Sequence, residues 1–153
     1  MQEEAHRMTR REALRLGIAS AALTMVGGHA LGVPSDAAAA IAAFTGGRVA
    51  QEGKIAIDLS DAVEDGHSVP LSVAVDSPMQ ADDYVSDVLV VAEGNPWPRV
   101  ATFHFTPMSG RAQVSTRIRL AASQNVIVAA KTSDGRLFIA QRRVEVTIGG
   151  CAG

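Results

Sequence analysis

The sequence predicts an all-β fold: an immunoglobulin-like β-sandwich of about seven strands with a short N-terminal helix and a flexible C-terminal arm. Three observations predict it. Segments that alternate apolar and polar residues, or are apolar throughout, recur at roughly ten-residue spacing. Clusters of Gly, Pro, Asp and Ser separate them. The helical period, visible near residue 40, vanishes after Gly46-Gly47. The chain has one cysteine, so no disulfide links the two sheets within it.

Taken in order, the Ala-rich segment from Asp36 to Phe44 reads as one or two helical turns, with Asp36 as N-cap and Gly46-Gly47 as stop. Lys54-Ile55-Ala56-Ile57-Asp58-Leu59 alternates as a half-buried strand does. Glu64-Asp65-Gly66-His67 is a turn, and Val69 to Val75 is a strand that Pro70 assigns to an edge. Asp76-Ser77-Pro78-Met79 and Ala81-Asp82-Asp83 form a loop before the apolar strand Val85 to Val91. In Asn95-Pro96-Trp97-Pro98 each proline fixes its own φ and extends the residue before it, giving a rigid turn. Val100 to Thr106 and Ala112 to Leu120 alternate, and Val126 to Ala130 is a buried strand. Ser133-Asp134-Gly135-Arg136 is a hairpin turn with glycine where φ is positive, and Leu137 to Ile148 is the last strand.

At 153 residues the chain is long enough to bury a core without disulfide staples. A net charge of −2, dispersed basic residues and few aromatics argue against a nucleic-acid partner. Residues 1–39 read as an export signal rather than as fold. Arg10-Arg11 sits in the basic stretch 8–15, and a mildly apolar Ala/Gly-rich run follows from Leu16 to Val33. Gly17, Gly27, Gly28 and His29 interrupt that run, so it makes a poor membrane span and no membrane association is expected. The segment resembles a twin-arginine signal, although Ala13 stands where Phe is common and Arg15 where Lys is. Ala37-Ala38-Ala39 is a candidate cleavage site among other alanines. The other reading of the segment is an amphipathic or buried helix. Export implies a periplasmic or extracellular protein, with 40–148 as the sandwich and 149–153 as the arm.

The tail Ile148-Gly149-Gly150-Cys151-Ala152-Gly153 then becomes the main candidate for chemistry. An unpaired cysteine in an oxidising compartment implies an intermolecular partner or a reactive thiol. The arm has no His, Lys or Arg to lower the thiol pKa, so near the ordinary value of about 8.5 only a few per cent is thiolate at neutral pH. Activation therefore has to come from another protein. Gly149 and Gly150 give a hinge thin enough to enter a channel, and three extended residues carry the sulfur on the order of 10 Å past the sandwich. Cys151 is either a handle for a covalent load or a tail whose cysteine only forms a disulfide.

Other residues carry weaker signals. His67 lies in a turn and His104 on a strand, without ligand spacing, so no metal site is expected. Asp58, Asp61, Asp76, Asp82 and Asp83 read as surface carboxylates, lacking the alternating oxygens of a calcium loop. Trp97 is a candidate cover for the sandwich end or an interface anchor. Arg142-Arg143 precedes the arm; strand alternation puts the pair on opposite faces, leaving one to favour an anionic adduct.

The export signal, the all-β domain and the closing run from Val144 to Gly153 resemble the SoxY family, the sulfur-carrier subunits of the periplasmic sulfur-oxidising (Sox) system. Glu64-Asp65-Gly66-His67-Ser68-Val69-Pro70, Asn95-Pro96-Trp97-Pro98, Thr116 to Leu120 and Val126 to Ala130 fit as well. The resemblance spans essentially the whole chain, and the terminal motif is its specific part. Ala152 replaces the family's usual glycine and slightly stiffens the far side of Cys151, with the hinge Gly149-Gly150 intact and Gly153 last.

The resemblance implies that Cys151 is the covalent attachment site for thiosulfate-derived intermediates. It further implies a haem-containing enzyme that couples thiosulfate, a dimanganese hydrolase that releases sulfate and, where present, a molybdenum–haem sulfur dehydrogenase. A second small immunoglobulin-fold subunit, SoxZ, would complete a heterodimer. This chain would then be a carrier, not an enzyme, with no cofactor of its own. The competing class is a periplasmic binding or assembly module whose cysteine only makes an intermolecular disulfide.

Overall fold

The computed structural model describes residues 35–147. They form one helix, α1 (Ser35–Thr45), and nine strands: β1 (Gln51–Glu52), β2 (Ile55–Asp58), β3 (Ala62–Val63), β4 (Val69–Val75), β5 (Val85–Ala92), β6 (Arg99–His104), β7 (Ala112–Ile118), β8 (Gln124–Thr132) and β9 (Leu137–Val146). A single 3-10 turn at Pro107–Ser109 joins β6 to β7.

Alanine is the best helix former, and Ser35-Asp36 followed by four alanines nucleates α1 readily. Gly46 and Gly47, at φ +65° and +74°, end it in backbone that L side chains avoid. The helix starts at Ser35, so Asp36 sits in the first turn rather than as the cap. There its carboxylate faces the positive end of the helix dipole. The Ala37-Ala38-Ala39 triplet lies within this helix.

Two sheets pack face to face. One has the order β1-β9-β8-β5-β6, with β3 also paired to β9; the other is β2-β4-β7. The core between them takes alternate residues: Leu71, Val73 and Val75 of β4, Val88 and Val90 of β5, Val126, Val128 and Ala130 of β8, and Phe138 and Val144 of β9. The intervening residues Leu89, Val91, Ile127, Ala129 and Ile139 point the other way and meet Ala37, Ile41 and Phe44 of α1. β5 and β8 are thus buried on both faces, which is why they read as continuous apolar runs instead of alternating. Complete burial of one such Val or Leu contributes about 1.5–3 kcal/mol.

The seven long segments expected from the sequence are all strands, and β1 and β3 are additional. Each has two residues and runs parallel to β9, too short to show a period. Strand β4 is central in its sheet rather than at an edge. Pro70 is tolerated because β2 has already ended at the Asp58–Ser72 pair, leaving only Arg117 of β7 opposite it.

Candidate functional site at the base of the arm

The last residues of β9 are held from both flanks. Pairing with β8 ends at Gln124–Val144. On the other side β3 takes over, with Glu145 N–H donating to the Asp61 carbonyl at 2.8 Å and Thr147 N–H to the Val63 carbonyl at 2.9 Å. The Ser123 hydroxyl accepts from Val146 N–H at 2.8 Å. Arg142 reaches Asp61 at 2.8 Å, tying the same loop to β9 through side chains. The backbone is therefore fixed up to Thr147, the residue before the tail Ile148–Gly153.

Beside this anchor the turn at residues 64–67 is pressed onto residues 119–121. Leu120 N–H donates to the Gly66 carbonyl at 2.8 Å. A Cβ on Gly66 would stand 2.1 Å from the Leu120 carbonyl oxygen, so only glycine fits. The next residue, His67, places both its backbone N–H and its ring Nδ1 on the Asp65 carboxylate. The His67 backbone hydrogen bond, then its side chain, hold the Asp65 carboxyl below its ordinary pKa, with a smaller contribution from Arg119. Glu64, Asp65, Gly66, His67, Arg119 and Val146 are among the residues around an open groove of about 550 Å3 against the arm base.

A second, smaller groove, lined by Asn95, Pro96, Trp97, Arg119 and Ala121, meets the first at Arg119 and Ala121. Its shape depends on two amides. Asn95 Nδ2 donates to the Arg119 carbonyl at 2.7 Å, and its Oδ1 accepts from Ala121 N–H at 2.9 Å and from Gln124 Nε2 at 3.0 Å. Gln124, only 2% exposed, also donates to the Ala122 carbonyl and accepts from Gly94 N–H, so every polar atom of its amide is used. The loop carrying Trp97 is thereby fastened to the loop carrying Arg119. The indole covers nothing: Trp97 is 85% exposed.

Of the residues singled out in the sequence, Gly149, Gly150, Cys151, Ala152 and Gly153 lie outside the described residues, as do the paired arginines 10 and 11. Arg142 and Arg143 are both engaged, Arg142 with Asp61 and Arg143 with Glu145 at 2.9 Å. His104 pairs with Asp87 on the outer face of the larger sheet, away from His67. Among the described residues no group of three or more His, Cys, Asp or Glu is placed to hold a metal. No described helix is long and apolar enough to cross a membrane.

Sequence reasoning passed over Gly66, Asn95, Arg119, Ser123 and Gln124. The signal for Asn95 was present, since Asn before Pro in a turn commonly spends its side chain on backbone groups. Nothing local marks Ser123 or Arg119, whose roles arise from distant chain segments.

The family of the sulfur oxidation protein SoxY matches residues 41–151. The sulfur carrier protein SoxY from Chlorobium limicola f thiosulfatophilum superposes with a TM-score of 0.63 at 33% identity, covering 74% of this chain and 98% of that one. A superoxide reductase (neelaredoxin) from Ignicoccus hospitalis gives 0.55 at 17% identity, over 61% of this chain and 80% of its own. A putative superoxide reductase from Thermotoga maritima gives 0.51 at 16% identity, over 67% and 89%. The last two likenesses concern the sandwich fold alone. No curated protein matches the sequence.

Proposed function

This chain belongs to the SoxY family of sulfur oxidation proteins, and from that premise we propose that it is a periplasmic sulfur carrier holding thiosulfate-derived intermediates on Cys151 while other proteins do the chemistry. The observation that carries the reading is the juncture of two unlike pieces of chain. A strand tied on both flanks at Val146 and on one at Thr147 is followed within one residue by Gly149-Gly150-Cys151. The anchor gives the thiol a fixed origin, and two glycines give its tether few steric limits. The 33% identical structure is itself titled a sulfur carrier protein.

In the proposed cycle the Cys151 thiolate and thiosulfate lose two electrons to a haem enzyme, and one S–S bond forms between them. The product is a cysteine S-thiosulfonate of charge −1. A dimanganese hydrolase adds water across the bond to the terminal sulfone, releasing sulfate and two protons and leaving a persulfide anion. A molybdenum–haem dehydrogenase or another acceptor takes the remaining sulfur. This chain's contribution is to hold the load and to present it. It supplies no acid, base or metal, and it is not itself an enzyme. A second immunoglobulin-fold subunit would cover part of the sandwich, and the basic segment with Arg10-Arg11 would direct twin-arginine export.

Intact mass spectrometry of carrier isolated from the periplasm of thiosulfate-grown cells tests the reading. Mass increments of one or more sulfur atoms, or of thiosulfate, on Cys151 are expected. Cys151→Ser should abolish both the adducts and thiosulfate-dependent respiration without altering the melting temperature. A disulfide dimer as the sole modified form, with respiration intact in Cys151→Ser, would replace the carrier by a passive binding module.

A further inference from the structure

Helix α1 restricts where an export signal can be removed from this chain. Its inner side belongs to the fold: Ala37 is completely buried, and Ala40, Ile41 and Phe44 pack with it on Leu89, Val91, Ile127 and Ala129. Those residues lie on the outer face of β5 and β8, strands that are apolar on both faces, so α1 stands between that face and water. A cut after Ala39 would remove Ser35–Ala39 and with it the cover that Ala37 provides. The remnant Ala40–Thr45 is far too short to form a stable helix by itself. The cut would also place a new ammonium on Ala40, against the same apolar patch, where an unpaired charge is costly.

That bond is also out of reach. An endopeptidase holds its substrate extended, and nicking concentrates in exposed termini and loop tips. Residues 37–40 are helical, with Ala37 sealed against the sheet. The twin-arginine route carries folded cargo, so the enzyme that removes the signal meets α1 already docked. The alanines at 37–39 have the right size for a cut and the wrong conformation. The sequence supplies another site upstream. Signal cleavage asks for small residues at the first and third positions before the cut, and Gly28-His29-Ala30 meets that requirement. Leu31-Gly32-Val33-Pro34 then separates the cut from α1. Pro34 disfavours helical backbone at Val33, which keeps α1 from growing back toward the cut. Four residues reach about 13–14 Å when extended, enough to hold a folded domain clear of the enzyme.

We propose that a signal endopeptidase cleaves this chain between Ala30 and Leu31, and that the mature protein begins at Leu31 and keeps the whole of α1 as the cover of its larger sheet. One water adds across the amide, leaving a carboxylate on Ala30 and an ammonium on Leu31. This rests on the export reading above. The docked helix is what withholds the alanine-rich stretch, which by composition alone offers the enzyme several further sites.

The test is N-terminal sequencing and intact mass of the protein recovered from the periplasm of cells that make the full chain. Leu31 is expected as the first residue. A first residue from Asp36 to Ile41 would show that α1 is cut and would overturn the proposal; a start at Val33 would spare α1 but overturn the bond assigned. Ala30→Leu lies outside the fold and puts a large residue just before the cut. It should leave precursor uncleaved, or cut further upstream, with the yield of mature chain down about tenfold or more. A cut that moves to Ala39 in this variant would overturn the protective role of α1. In the wild-type product, amide exchange at Ile41 and Phe44 should be slow, and exchange as fast as in an unfolded chain would mean that no docked helix shields the site. If the unaltered chain stays in the cytoplasm, the export reading fails and the cut with it; export without cleavage, or with a cut elsewhere, removes the cut alone.

Discussion

The two ends of the sandwich share ion pairs but differ in what else fastens them. At the end where β8 finishes, Arg136 bridges Asp83 and Asp134, the Thr132 hydroxyl donates to Asp134, and the Ser133 hydroxyl bonds Tyr84 N–H and the Asp82 carbonyl. Those charges are spent on one another. At the end where β9 finishes, neutral amides and a close glycine contact fasten the loops, alongside the ion pairs Arg142–Asp61, Arg143–Glu145 and His67–Asp65. The first end closes the fold. The second adds to its ion pairs a set of uncharged fastenings around Asn95, Gln124 and Gly66.

The contrast breaks most easily at Gly66. Gly66→Ala forces the 64–67 turn away from Leu120, and overpacking against backbone costs roughly 2–3 kcal/mol; a fall in the urea midpoint at unchanged slope reports it. Next comes Asn95→Ala, which leaves the Arg119 carbonyl, Ala121 N–H and one Gln124 donor short of a partner at the open end. A loss of about 1–2 kcal/mol is expected, together with faster amide exchange at residue 121.

The smallest effect lies at the closed end. The Asp134 carboxyl is held below its ordinary pKa, first by the Thr132 hydroxyl and then by the Arg136 backbone and side chain. A depressed folded pKa stabilises above the unfolded value, and the gain disappears as pH falls through the folded one. Thr132→Val should therefore shift the Asp134 titration upward more than Arg136→Met does, as carbon-detected NMR would read. An Asp134 titration that follows Arg136 alone would mean that the closed end is an ion-pair device rather than a hydrogen-bonded turn.

Much of the architecture was legible because it is local. Alternation located β2, β4, β6 and β7, the apolar runs located β5 and β8, and Gly135, at φ +83°, was identified from its place in a hairpin. What was hidden depends on contacts made far along the chain. The two-residue strands exist only because β9 offers them a free flank, and Pro70 misleads because its strand outlasts its neighbour. The candidate site divides the same way. The terminal Gly-Gly-Cys stood out by composition, whereas its surroundings, Gly66 against Leu120 and Asn95 against Arg119, join segments dozens of residues apart. Arg142 and Arg143, reasonable candidates by proximity, are already committed to Asp61 and Glu145.

The parallel partner β3 has a mechanical consequence. A tail pulled outward along the axis of β9 loads the bonds to β8 on one flank and to β3 on the other in shear, many at once. Peeling an edge strand would instead break them one at a time. Because β3 and the Ser123 hydroxyl carry the bonding of β9 past its last pair with β8 at Val144, a pull on the tail meets a held strand rather than a loose end. Force applied at the tip stops at the anchor.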